Sequence, residues 1–452
     1  MTSAMENSEI DQSSLLDRAA ELVEAAAKAG ADACDAISVR SRSLGVSVRN
    51  GKIETVDSSE NDAISLRVFV GKKKASISAN TFDDIESLAQ RAVAMARVSP
   101  DDPYACLADK DRLATSFPDL ELLDNTILGA DRLGDMALAA EEAAMNVDGV
   151  SKSGGSGAGE SLGGVVLATS HGFSASYQSS HYSCSMTAVA GDGVSMERDY
   201  DYTVANHAAD LKDPRVIGRS AGDRTVARVD PKTVNTGRMK VIFDPRVATS
   251  LMGHLSGAIN GAGIARKTSF LMDKLGEQIF QSGIRITDDP LIVRGLGSRP
   301  FDGEGVVNEA FDLVTDGVLQ TWLLDSATAA ELGLKTNGRA SRSGANPSPS
   351  GTNIDLLPGD RSPEDMINDV GEGLYITDLI GHGVNGLTGD YSRGASGFMI
   401  RDGIIAEAVS GFTIAGNLID MFAELEPASD FVRERSINAP TIFLGELAIA
   451  GQ

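Results

Sequence analysis

The run from Ala36 to Ala79 constrains the fold most, because its turn chemistry dictates how its strands pair. Leu44-Gly-Val-Ser-Val-Arg49 and Lys52-Ile-Glu-Thr-Val56 alternate apolar and polar residues on either side of Asn50-Gly51. That dipeptide tolerates positive φ at both turn positions, so it predicts a two-residue hairpin. Ala36-Ile-Ser-Val-Arg40 precedes it, and Ala63–Val70 with Ala75–Ala79 make a second hairpin around Gly71 and Lys72-Lys73-Lys74. An alternation of period two gives a sheet one apolar face, and that face needs cover. Two helical patterns supply it. Residues 13–29 carry Leu15, Leu16, Ala19, Leu22, Val23 and Ala26 on one stripe. Ser13 or Ser14 is placed to cap this helix, and Gly30 to end it. Phe82–Arg97 is the second helix, with Asp83, Asp84 and Glu86 near its positive end.

Residues 98–128 are rich in Pro and Asp and read as a long connection. Ala130–Asn146 predicts a third helix, with Leu133, Met136, Ala137, Ala140 and Ala144 inward. Residues 151–205 mix alternating stretches with many glycines. Gly154 to Gly164 lacks the spacing of a phosphate loop and reads as a flexible turn. Val216–Val229 predicts a helix, and the boundary is placed near Asp230-Pro231. The expected domains are an N-terminal α+β unit, 1–230, and a β-rich unit, 231–452. In the second unit, strands are expected at Met239–Phe243, Ile284–Thr287, Gly305–Phe311, Gly317–Leu323, Gly373–Thr377, Gly397–Arg401, Gly403–Ala408 and Thr441–Leu444. Thr315-Asp316-Gly317 is a hairpin turn. Short helices are expected at Ser326–Leu332 and Ile414–Met421. The polar stretch 335–351 is long enough to be either disordered or functional. The fold class is α+β: an antiparallel N-terminal sheet with helices on one face, then a mostly antiparallel, curved or barrel-like β domain with a few helices.

Composition removes several function classes. The net charge of −24 argues against nucleic acid, whose phosphates need a basic face. Three scattered cysteines, Cys34, Cys106 and Cys184, suggest no disulfide framework and fit a reducing compartment. No apolar run approaches the roughly 20 residues of a membrane span, and the polar start of the chain is unlike a signal peptide. A soluble cytoplasmic protein is expected.

Chemistry concentrates after Met239–Phe243. A turn at Asp244-Pro245 leads into a pattern with Val247, Leu251, Leu255, Ala258 and Ile259 on one face, so His254 lies within a helix. A zinc peptidase helix carries two His and a Glu on adjacent turns, whereas this one carries His254 alone. His254 reads either as a packed helix residue or as part of a peptide channel. Arg266-Lys267 can hold a carboxylate or simply form surface ion pairs. His382 and Asp390 lie in Gly-rich loops, and a His254/His382/Asp390 metal site is a minor alternative. Tyr391 and Arg393 either contact substrate or belong to a tight turn. His171 and His181 read as packed or solvated. No strand-to-helix nucleophile elbow is present.

The motifs Gly253-His254-Leu255-Ser256-Gly257-Ala258-Ile259-Asn260-Gly261, Ala265-Arg266-Lys267-Thr268-Ser269-Phe270, Ser298-Arg299-Pro300-Phe301-Asp302-Gly303-Glu304-Gly305 and Gly389-Asp390-Tyr391-Ser392-Arg393-Gly394-Ala395-Ser396-Gly397 carry a resemblance. With the closing Ile449-Ala450-Gly451, the chain resembles the TldD/PmbA (TldE) family of metalloprotease-related proteins, on its PmbA/TldE branch. The TldD branch carries His-Glu-x-x-x-His in this helix and a cysteine ligand near the C-terminus. On this chain the first His matches His254. Leu255 and Ile259 stand at the Glu and second His positions, and Arg435–Thr441 has no cysteine. The resemblance implies no catalytic residue and no metal in this chain, with zinc in a TldD-like partner subunit of a heterodimer. It also implies unfolded peptide as substrate. His254, Asn260, Arg266, Lys267, His382, Asp390, Tyr391 and Arg393 become candidates for the peptide channel. Two alternatives stand beside this: a self-sufficient homodimeric metallopeptidase, and a non-catalytic peptide-binding scaffold. A homodimer is also expected of the isolated chain.

Overall fold

The computed structural model describes residues 10–81, 84–342 and 344–451, with Val194 described by its backbone alone. Helix α1 (Gln12–Lys28) buries Leu15, Ala19, Leu22, Val23 and Ala26. Its cap is Asp11 rather than Ser13 or Ser14: the Asp11 carboxylate accepts the Ser14 N–H at 3.1 Å. The helix begins one residue earlier than expected, and a carboxylate there also suits the positive helix end.

The two expected runs 36–40 and 44–49 form one strand, β1 (Ala33–Arg49). It pairs with β2 (Lys52–Val70) from Ala33↔Phe69 to Arg49↔Lys52, so Asn50-Gly51 is the tight turn. Strand β3 (Lys73–Ala79) returns along β2. Helix α2 (Ile85–Val98) is capped by Asp84; Phe82 and Asp83 lie outside the described residues. After the 98–128 connection come α3 (Gly129–Met145), β4 (Val150–Thr169), β5 (Ser174–Ala190), β6 (Glu197–Ala205) and α4 (Pro214–Ala227). Sheet order is β3-β2-β1-β4-β5-β6, antiparallel throughout.

The Gly-rich run 154–164 is not a flexible turn; it is the middle of β4. Ser156, Ala158, Glu160, Leu162 and Val166 alternate into the buried face, and the intervening glycines mask that period of two. Two buried glutamates tie the layers together. Glu160 accepts the Leu128 and Gly129 N–H groups at the start of α3, at 2.8 and 3.1 Å. Glu141 on α3 accepts both N–H groups of the Asn50-Gly51 turn, at 2.8 and 2.7 Å. The helices share one face: Cys34 and Ala36 pack with α1 and α2, and Val46 and Val48 with α3 and α4. Ile37 and Leu167 face the other way and meet Phe173 and Phe301.

The second half opens with β7 (Gly237–Phe243), α5 (Pro245–Ala258) and α6 (Gly261–Ala265). There follow β8 (Ile286–Asp288), β9 (Phe311–Thr315), β10 (Val318–Leu319) and α7 (Ser326–Leu332). Next are β11 (Ala340–Ser341), β12 (Ser348–Pro349), β13 (Ile354–Leu356), α8 (Pro363–Val370), β14 (Gly373–Ile380), β15 (Asp390–Arg401) and β16 (Ile404–Asn417). The chain ends with α9 (Leu418–Glu424), β17 (Glu426–Pro427), β18 (Ile437–Asn438) and β19 (Ile442–Ala450). Strands run β16-β15-β14-β7-β19, and β19 returns to β16 through Thr413↔Ala450 to Ala415↔Ala448. The result is a closed five-stranded barrel. Every pair is antiparallel except β14–β7. Gly397 sits at an irregularity between β14 and β15, where an added Cβ would stand 2.0 Å from the Tyr375 carbonyl oxygen.

Several expectations change here. The strand expected over Gly317–Leu323 is only Val318–Leu319. The 305–311 strand starts only at Phe311; Val306 and Val307 make single bridges to Leu113 and Phe301. The helix expected from Ile414 starts at Leu418, because Ile414 is spent on barrel closure. The 335–351 stretch is ordered where described: Arg339 is fully buried against Asp288 at 2.7 Å, and Arg342 pairs with Asp35 at 2.8 Å. Asp35 also pairs with Arg67, which reaches Glu304 at 3.2 Å. These ion pairs tie the second half to the first sheet.

Candidate functional site

Asp244 caps α5 by accepting the Arg246 N–H at 2.9 Å, and Pro245 opens the helix. The helix then buries Ala248, Leu251, Leu255 and, at its C-cap, Ile259, all at 0% exposure. Leu255 and Ile259 therefore face the core. His254 lies half-buried beside them, and its ring meets the ring of Tyr391 edge-on at 6.1 Å. His254 Nε2 is enclosed and, among the described residues, has no hydrogen-bond partner. Burial, reinforced by the Arg393 guanidinium, holds this imidazole below its ordinary range, so it is neutral at pH 7.

Tyr391, on β15, is 1% exposed, and its hydroxyl also lacks an aligned partner. Burial pushes it up to about 12, partly offset by Arg393. Arg393 donates from Nη2 to the Leu379 carbonyl at 3.3 Å, while its Nε is enclosed and unpartnered. Among the described residues, no carboxylate lies within 4.0 Å of this guanidinium.

The residues present do not fit a metal. His254 offers one nitrogen, but the positions of a base and a second imidazole are held by the core side chains Leu255 and Ile259. A guanidinium bears on the remaining imidazole, and it would repel a dication. Among the described residues, no three His, Cys, Asp or Glu side chains converge, so His254, His382 and Asp390 do not form a set.

The other candidates fall into two groups. Asn260 is committed to structure: it accepts the Ala262 N–H to cap α6 and donates to the Pro349 carbonyl at 2.6 Å. Arg266 and Lys267 are exposed just beyond α6. The chain following them joins the 381–390 loop through the Phe270 N–H and the Gly386 carbonyl, at 3.0 Å. In that loop His382 is exposed, and Asp390 accepts from Thr388 Oγ1 at 2.6 Å and Asn417 Nδ2 at 3.2 Å. His382 and Arg393 share a cleft of about 1010 Å³ that runs between β6 and the end of β14.

The opposite wall of that cleft was not foreseen. Arg228, the C-cap residue of α4, pairs with Asp199, Asp378 and Glu197 at 3.2, 3.5 and 3.7 Å. Arg246 donates to Asp199 at 2.8 Å and to the Tyr200 carbonyl at 2.9 Å. The Tyr200 N–H is taken by Asp199 and the Tyr202 N–H by Asp201. The edge of β6 is thus capped at 200–202 and closed there to a further strand. The alternation Asp199-Tyr200-Asp201-Tyr202 was the available signal, but it names no partner. His171 bonds the Ala108 carbonyl at 2.9 Å, and burial holds the His181 imidazole below its ordinary range.

No described helix is long and apolar enough to cross a membrane. Three family models cover the chain: PmbA/TldA metallopeptidase domain 1 over residues 34–96, the central domain over 124–229, and the C-terminal domain over 236–451. The chain is 36% identical to Metalloprotease PmbA of Escherichia coli O157:H7, covering 98% of this chain and 97% of that one. A Bacteroides thetaiotaomicron crystal structure, described as a candidate modulator of DNA gyrase, matches with a TM-score of 0.89. It is 26% identical and covers 98% of this chain and 100% of that one. TldE from Thermococcus kodakarensis shares the fold, with a TM-score of 0.83 at 20% identity, covering 96% and 100% of the two chains. The chain belongs to the PmbA/TldD metallopeptidase family, on its PmbA/TldE side.

Proposed function

We propose that this chain is the PmbA/TldE-type subunit of a two-subunit cytoplasmic peptidase that degrades or trims unfolded peptides. A TldD-like partner supplies the zinc, the base and the water. This chain closes the cavity and admits only extended substrate. The observation that carries the reading is the replacement, within one helix, of the base and second ligand by buried Leu255 and Ile259 beside a retained His254. The cleft between β6 and the β14 end is the stretch of channel wall that this chain contributes. Backbone pairing suits a substrate of varied sequence, and the capped stretch of β6 restricts where such pairing can occur.

Zinc content and hydrolysis of casein fragments, for the chain alone and mixed with a TldD-like subunit from the same cell, test the proposal. The expected result is no zinc and no hydrolysis alone, with hydrolysis on mixing. Stoichiometric zinc and chelator-sensitive hydrolysis by the isolated chain would replace this reading with a self-sufficient homodimer. Peptide binding with no change in rate on mixing would replace it with a scaffold.

A further inference from the structure

Carboxylates outnumber Lys and Arg in this chain by 64 to 40, so a guanidinium set into a wall without a counter-ion is unexpected. Arg228, across the same cleft, is matched by three carboxylates. Arg393 has none within 4.0 Å among the described residues. Its neighbours do not compensate the charge either, because His254 is neutral and Tyr391 keeps its proton. Among the described residues, three enclosed polar atoms of this neighbourhood have no aligned partner: Arg393 Nε, Tyr391 Oη and His254 Nε2. Tyr391 is almost wholly buried, so this cluster is built into the fold. An uncompensated charge in a partly desolvated wall is costly unless something pairs with it.

We infer that Arg393 binds a peptide carboxylate at the wall of the cleft. The inference rests on reading the cleft as a peptide channel. A carboxylate suits the fork of one guanidinium. A dianion is disfavoured, since Glu197, Asp199 and Asp378 face the same space. Arg393 is the contact residue. Tyr391 and His254 lie beside it and bring no negative charge to compensate it.

The carboxylate has two sources, the chain terminus or an acidic side chain. The test uses the full chain and an N-terminally fluorescein-labelled Ala/Ser hexapeptide, read by anisotropy, in three forms. These are a free C-terminus, a C-terminal amide, and an amide with one Glu. At least one carboxylate form is expected to bind about tenfold more tightly than the plain amide, and which one does so names the source. The preference is expected to vanish in Arg393→Gln and to persist in part in Arg393→Lys, with circular dichroism checking that both variants fold. Equal binding of all three forms overturns the carboxylate site and leaves the channel intact. A preference that survives in Arg393→Gln assigns the carboxylate elsewhere. Absence of binding by every form removes the channel reading and this inference together.

Discussion

Arg339 and Arg393 are two arginines of the same β-rich half, and their surroundings could hardly differ more. Arg339 is 0% exposed and every donor is used. Nε bonds Asp288 Oδ2 at 2.7 Å, Nη1 bonds the Asn337 and Gly338 carbonyls, and Nη2 bonds those of Asp288 and Glu309. The Phe311 ring stacks 4.0 Å from its carbon. Arg393 is half-buried, makes one long bond to a carbonyl and faces a cleft. A guanidinium that is fully matched holds the fold together; one left unmatched at a cleft wall is available to a ligand. Burial alone does not separate the two roles, whereas an account of every donor does.

Breaking the matched site carries the largest expected effect. Arg339→Ala strands Asp288 in the core, and a loss of about 3–5 kcal/mol in denaturant unfolding is expected; an unchanged midpoint would undo the contrast. Next comes Asp199, whose burial raises its pKa but is outweighed by the hydrogen bond and charge of Arg246, aided by Arg228. Its folded pKa lies below its unfolded one. The stability it contributes is therefore present above about pH 4 and lost as pH falls through the depressed value. Asp199→Asn should cost about 2 kcal/mol at neutral pH and flatten the acid limb of the stability profile. An acid limb identical to wild type would remove Asp199 from that role. Arg393→Gln breaks no ion pair, so its unfolding midpoint should stay within about 1 kcal/mol of wild type. A loss as large as that of Arg339→Ala would make it structural. The smallest effect is expected of Glu407→Gln. Arg401 pulls the Glu407 carboxyl down to about 2, yet the pair is solvent-exposed and screened. Unfolding curves of this variant and wild type should superimpose, and a resolved shift would show that surface pairing matters here.

Much of the local structure was legible because its signals are local. Asn50-Gly51 forces a hairpin through the φ values it permits, the Leu15–Ala26 stripe needs only helical spacing, and Asp316-Gly317 closes β9 onto β10 as read. The β4 glycines misled because Gly and Ser resemble a turn; it is the pairing with β1 and β5 that makes them strand. The 335–351 stretch misled for a related reason. Its composition is polar, but Arg339 and Arg342 are neutralised by Asp288 and Asp35, which lie far away in the chain. His254, Tyr391 and Arg393 were separately visible as candidates, yet nothing in the sequence placed them together or showed that Arg393 has no carboxylate beside it among the described residues.

What the sequence determined by itself were the periods, the tight turns, the α+β class, and a His254 helix that carries no second His and no Glu. These depend on steric limits and side-chain chemistry within a few residues. Only the tertiary structure decided the closure of the barrel, the burial of loop arginines, the capping of β6 and the difference between Arg339 and Arg393. Each of these depends on whether an opposite charge or an open hydrogen-bonding edge is brought near from elsewhere in the chain. Proximity of that kind is a property of packing, which no short window of sequence contains.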